Sequence, residues 1–373
     1  MTLRSKKASL LIAICATLGL LWQPVASAST RMAPASSHVH PAGTFGENII
    51  SSLTCPTRTV CYASGYTVGP STGIIITFTN GRPTKAQHFA GNGNSVGALS
   101  CPTPSFCAAL TSDPPQLVIL KNGIVSRSIA ATITPGVISC PSAEECVILG
   151  HTFNSAGEIL ATRVYSGGEL SQLEPYHLPT LVSAATTDIE GLSCATISAC
   201  EFVALSDTEK TPPGAFLPDA YLYGSFGPGG SVRGLHISTI NTLEDIACFR
   251  PRLCYVAGEA LGNSGNMKAV RTARLWSLPI GGANLTTVST SSVNGEYEPL
   301  TCYSLAYCTA EVQTPASRVE AFSAVSFTRG KAGALHATDT GDQPDPISRV
   351  SPTLCFALTD TDADLSITSV PLS

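Results

Sequence analysis

The sequence is short of charge, of aromatic side chains and of long apolar runs. Charged residues are 13% and aromatic residues 6% of its 373 positions. Past the N-terminal segment, no stretch reaches the ~18 uninterrupted apolar residues of a membrane-spanning helix, so no span is expected in the mature chain. Amphipathic patterns of helical period are missing, which excludes a helical bundle and leaves an all-β chain. The net charge is −5 and there is no basic run, so no electrostatic footprint marks a nucleic-acid partner. G-x-S-x-G, H-E-x-x-H and phosphate-cradling glycine loops are absent as well, and with them the common signatures of serine hydrolases, zinc proteases and nucleotide enzymes.

What the chain does have is glycine, 32 residues, proline, 26, and cysteine, 14. Abundant turn formers with a neutral polar surface suit many short strands. The N-terminus reads MTLRSKKASLLIAICATLGLLWQPVASAST, with Arg4, Lys6 and Lys7 ahead of an apolar run and Ala26-Ser27-Ala28 closing it. This layout predicts a signal peptide over 1–28 and a secreted, extracellular protein beginning near Ser29. Ile14 stands where lipoprotein processing at Cys15 needs a small residue, so a released protein is expected. Residues 29–45 then form a linker or a closing strand, and 46–373 the folded body.

The cysteines recur in a pattern. Cys55, Cys101, Cys140, Cys194, Cys248 and Cys302 are each followed six residues later by Cys61, Cys107, Cys146, Cys200, Cys254 and Cys308. A seventh copy, ISRVSPTLCFAL, has Arg349 in the first place and Cys355 in the second. Two before the first cysteine stand Leu53, Leu99, Ile138, Leu192, Ile246, Leu300 and Ile347. One before it stand the small residues Thr54, Ser100, Ser139, Ser193, Ala247, Thr301 and Ser348. Copies begin 39 to 54 residues apart, the range of propeller blades. Within copy one, GIIITFTNGRPTKAQHFAG places Ile74, Ile76 and Phe78 on one face, turns at Asn80-Gly81 and returns. The pattern predicts seven four-stranded blades, a seven-bladed β-propeller in which copy seven supplies only three strands.

On a helix, a six-residue spacing puts the two cysteines ~9 Å apart along the axis, too far for a bond. Across a β-hairpin they face each other. Each pair is therefore expected to form a disulfide between strands one and two, leaving Cys355 without a partner. Zinc is the competing reading; its preferred ligand spacing is shorter, and an exported chain favours oxidation.

The pattern S-C-P-[ST]-x3-C-x-A, with a glycine turn later in each unit, resembles exported bacterial β-propellers related to the sialidase-like, BNR-repeat group. The resemblance covers residues 45 to 373 and implies the propeller fold. The turns TNGRP, KNGIV and SGGEL carry neither the aspartate nor the tryptophan of that group's Asp-box.

Repeat lengths vary on the side of each copy away from the cysteine turn, which marks that face for recognition. Four before the first-cysteine column the residues are Ser51, Gly97, Gly136, Glu190, Glu244, Glu298 and Asp345. Glu190, Glu244, Glu298 and Asp345 are thus expected around a channel mouth, as a site for a cation, a cationic group, a glycan or a protein, with Asp188, Asp245 and Glu296 adding to the field. Calcium is the metal that all-oxygen ligands suit, there or at the D-x-D-x-D run Asp360, Asp362 and Asp364. The plainer reading of the column is solvated acids at strand entrances, and the alternative to a monomeric binding protein is a glycan-cleaving hydrolase of sialidase-like type, in which two of these carboxylates, ~5 to 9.5 Å apart, act as acid and base or nucleophile. His88, His177, His236 and His336 fall on expected outer strands and need no ligand.

Overall fold

The computed structural model describes residues 48–371 apart from 68–71, 90–93, 155–156, 177–186, 207–219, 227–231, 239–240, 251–252, 262–270, 280–283, 295–296, 305, 316–319, 330, 340–346, 352–353 and 362–363. The expected signal peptide and the 29–45 segment lie outside the described residues. Everything regular among the described residues is antiparallel β, in seven sheets that follow the seven copies in order. Five sheets have four strands in sequence order, and the seventh has three. In sheet three the outer strand is broken into 169–170 and 174–176, both paired to the third strand Gly157–Ser166. No helix among the described residues is long and apolar enough to cross a membrane.

Composition decides which strands are inside. The second and third strands of sheet one, Val60–Thr67 and Thr72–Thr79, are buried along most of their length, whereas the fourth, Arg82–Phe89, is largely exposed. Ile74, Ile76 and Phe78 do share one face. Ile75 is equally buried on the other, because each inner strand packs against a neighbouring sheet on both sides. Apolar clusters fill the gaps between consecutive sheets: Ile75 and Tyr62 of sheet one meet Leu99, Val118 and Leu120 of sheet two. Phe356 and Leu358 of sheet seven pack among Leu53, Ala63, Ile74 and Phe78 of sheet one. The cluster between sheets six and seven is the smallest, with Ala324, Ile347, Cys355 and Ala357.

All six expected cysteine pairs are disulfides, with Cα atoms 3.9 to 4.1 Å apart. Cys194 and Cys200, Cys248 and Cys254, and Cys302 and Cys308 sit directly opposite in register across strands one and two. Cys355 is free and buried, opposite Arg349.

The small-residue column has a function the sequence pattern did not suggest. Its hydroxyl accepts a hydrogen bond from the backbone N–H of the first-cysteine position in the next sheet: Ser100 from Cys140 (3.0 Å), Ser139 from Cys194 (3.0 Å), Ser193 from Cys248 (2.8 Å) and Thr301 from Arg349 (3.1 Å). The same bond runs from Cys55 N of sheet one to Ser348 Oγ of sheet seven, at 2.9 Å. Sheet five has Ala247 in this column and no hydroxyl. There Asp245 reaches across instead, its Oδ2 accepting from Leu300 N of sheet six at 2.8 Å and its Oδ1 from Ile246 N at 2.7 Å.

Candidate functional site

The column four residues before the first cysteine coincides with a break in strand pairing. In sheet one the register steps from Ile50 to Ser52, in sheet two from Val96 to Ala98, in sheet four from Ile189 to Gly191 and in sheet five from Leu243 to Asp245. Ser51, Gly97, Glu190 and Glu244 are therefore the extra residues of β-bulges. Gly136 lies within the corresponding step of sheet three, and Glu298 within that of sheet six. A bulge bends its strand and re-aims the extra side chain. The alternation that would put Glu190 on the same face as Leu192 thus does not run through this position, a feature that period-two counting had no means to register. The bend also presses backbone together: a Cβ on Gly65, across from the bulge of sheet one, would lie 1.9 Å from Ile49 O.

First strands of consecutive sheets lie side by side, so the bulges of sheets four, five and six place Glu190, Glu244 and Glu298 at equivalent points on three neighbouring strands. Glu190 and Glu244 are half-buried, and Asp188 is exposed. Asp245 is not part of a solvated field, being spent on the two backbone N–H groups described above. Asp345 and Glu296 lie outside the described residues, as does Asp362. Asp360 and Asp364 sit on the two strands of a hairpin, with Asp360 opposite Leu365 and Thr361 opposite Asp364. No group of three or more metal-ligating side chains occurs among the described residues. Among the histidines, His88 is exposed and His236 stacks on Tyr223 with centroids 5.1 Å apart; His336 lies on the outer strand of sheet six, and His177 lies outside the described residues.

The same end of the sheets carries two further groups. Phe153, near the tip of the hairpin joining Glu145–Asn154 to Gly157–Ser166, is 71% exposed. His151, two residues before it, has its Nε2 buried with no hydrogen-bond partner among the described residues.

No protein-family model matches the sequence, and no curated protein matches it. Solved structures do match. The β-propeller domain of Cps50 (Swd1) from Myceliophteria thermophila aligns over 89% of this chain and 99% of its own, at TM-score 0.53 and 10% identity. The WD40 β-propeller domain of Doa1 aligns over 87% of this chain and 94% of its own, at TM-score 0.54 and 8% identity. The fold is that of a β-propeller. At such identities the likeness concerns the fold alone.

The propeller also holds charged groups that no surface pattern announces. Glu201, Glu259 and Glu311, on the second strands of sheets four, five and six, are essentially inaccessible to solvent. The only signal for them is a carboxylate inside apolar runs such as CEFVAL and YVAGEAL. Arg349 is buried too. It donates to the carbonyl of Cys308, to Thr309 Oγ1 at 2.9 Å and to Ser351 O at 3.2 Å, and stands 5.5 Å from the centre of the Tyr307 ring. Burial lowers its pKa to about 10, while burial pushes the Cys355 thiol up to about 12, against the opposing pull of Arg349. Arg349 joins sheets six and seven, whereas Glu311 lies across from the bulge of sheet six, where Val312 pairs with Tyr297 and Ala310 with Leu300, and Glu259 pairs with Thr242, two residues from Glu244.

Proposed function

We propose that the chain is a secreted binding protein whose seven sheets are the blades of one closed propeller, and that it recognises its ligand on the face opposite the disulfide turns. The apolar packing of sheet seven against sheet one, and the Cys55–Ser348 hydrogen bond that repeats the other junctions, support closure. The six disulfides and the signal-peptide layout support export. The observation that carries the binding site is the placement of Glu190, Glu244 and Glu298 at equivalent bulges of three consecutive sheets, with Asp345 in the same sequence column. Bulges sit where a strand must redirect a side chain, and a rigid scaffold with one elaborated face is a common way to build recognition.

Carboxylates grouped at one mouth suit a cation such as calcium, or a cationic group carried by a glycan or a protein. Glycan and protein arrays, probed with and without calcium and with hydrolysis measured in parallel, test this. The double variant Glu244→Gln/Glu298→Gln is expected to lose binding at least ~tenfold, as expected for removing two charge-assisted contacts, with the melting temperature without ligand equal or higher. Unchanged binding would return the column to solvated acids, and glycan cleavage abolished by the same variant would replace binding with hydrolysis.

A further inference from the structure

Charge is distributed unevenly along the chain. Residues 48–143, which hold sheets one and two and the start of sheet three, contain five Lys or Arg residues and a single acid, Asp113. Residues 144–373 contain twelve Lys or Arg against twenty-four Asp or Glu. The five cations are Arg58 in the cysteine turn of sheet one, Arg82 and Lys85 on its fourth strand, Lys121 at the end of the third strand of sheet two, and Arg127 on its fourth strand. All five are exposed. Asp113 falls at the opposite end, between the second and third strands of sheet two.

Hydrogen bonds hold these turns together as one surface. Asn80 N donates to Thr59 O at 2.7 Å, tying the outer turn of sheet one to its cysteine turn. Tyr62 Oη donates to Pro104 O at 2.7 Å, joining the cysteine turns of sheets one and two. Gln87, between Lys85 and the strand end, donates to Gly123 O and accepts from Val125 N at 2.8 Å, which fixes the outer turn of sheet two beside the outer strand of sheet one. Lys121 reaches Glu144 of sheet three at 3.0 Å and Arg127 reaches Gly168 O. Both contacts are exposed and are worth little in water. Around the cations the surface is hydroxyl and amide: Thr59, Thr79, Thr84, Asn80, Asn122 and Ser126 are exposed, and Ile124 is the one large apolar residue exposed among these turns.

We infer that the disulfide-turn surface of sheets one and two binds an acidic polysaccharide, with Arg58, Arg82 and Lys85 as its core and Lys121 and Arg127 at its rim. Arg58, Arg82 and Lys85 have no acid at this end of sheets one and two, and such cations attract a polyanion, while neighbouring hydroxyls and amides suit sugar hydroxyls. The surface has no aromatic platform for stacking single-stranded bases and no apolar centre of the kind a protein interface buries. This site is on the other face from the carboxylate column and stands independently of it; a propeller held this way on an anionic polymer would present its acidic face outward.

The test uses the full mature protein on heparin as a sulfated probe and polygalacturonate as a carboxylated one, with neutral dextran, duplex DNA and anionic vesicles alongside. The expected result is retention on an acidic polysaccharide that weakens with salt, and a loss of about tenfold or more in Arg58→Ser/Arg82→Ser/Lys85→Ser. The control Arg329→Ser/Lys331→Ser, on the outer turn of sheet six, should keep binding, and both variants should melt like the wild type. Four results would each overturn the proposal: no binding to either polysaccharide, equal loss in the control, tighter binding to duplex DNA or vesicles, or a concentration-dependent dimer that the triple variant abolishes.

Discussion

Arg349 and Cys355 show how one substitution pair reshapes a repeat. In six sheets this register position is a disulfide; in the seventh it is a guanidinium facing a thiol. The apolar cluster between sheets six and seven is small, and Arg349 compensates by hydrogen-bonding the second strand of sheet six at Cys308 and Thr309. A buried guanidinium left without these acceptors would be costly, so its value lies in the fit of the pair of sheets. The thiol gives a direct readout. Its folded pKa of about 12 lies above the ordinary value of 9.0, so its contribution is fully present below pH 9 and is lost as pH rises toward 12. Arg349 acts in the opposite sense, but only from about pH 10 upward. Between pH 9 and 10 the wild type is expected to lose about 1 kcal/mol more stability than Cys355→Ala in urea unfolding. Parallel slopes for the two proteins would mean that the thiol ionises as readily folded as unfolded.

At the scale of the element, the unit of construction is the junction between first strands. At five of the junctions a hydroxyl from one sheet receives the N–H of the next, and where sheet five lacks that hydroxyl the neighbouring Asp245 takes a different N–H two residues earlier. Asp245→Ala is therefore expected to destabilise the protein by about 1 to 3 kcal/mol, since it orphans two backbone donors. Adding Ala247→Ser to that variant should recover part of the loss by restoring the hydroxyl latch, measured as denaturation midpoints; no loss in the single variant would make the Asp245 contacts incidental. The cysteine and aliphatic columns made the strand pairing legible from sequence, because a disulfide demands opposed positions and an aliphatic column demands a buried face. The hydroxyl latch was visible only as a run of small residues, because a bond between sheets leaves no trace of its partner in either segment. The bulges were not legible at all: the carboxylate column could be aligned, but an inserted residue looks the same in sequence as a regular one.

Across the whole molecule, the two ends of the sheets differ in chemistry. One end carries disulfide turns of constant length and, on sheets one and two, five exposed cations, of which Lys121 is paired with Glu144 of sheet three; the other carries Glu190, Glu244 and Glu298 with the exposed Phe153. No basic run marks the cationic surface in the sequence, because its residues are spread from Arg58 to Arg127 and share a surface only through folding. In one closed ring of seven sheets the first and last sheets are neighbours. Spin labels on the exposed Arg82 and Ser369 positions test that closure most directly, with a pair at Arg82 and Lys121, on adjacent sheets, as the internal standard. A closed ring predicts a single narrow distance distribution for the end-to-end pair, no longer than that of the adjacent-sheet pair. A separation well beyond the adjacent-sheet value, or a broad distribution that narrows only on ligand addition, would contradict closure.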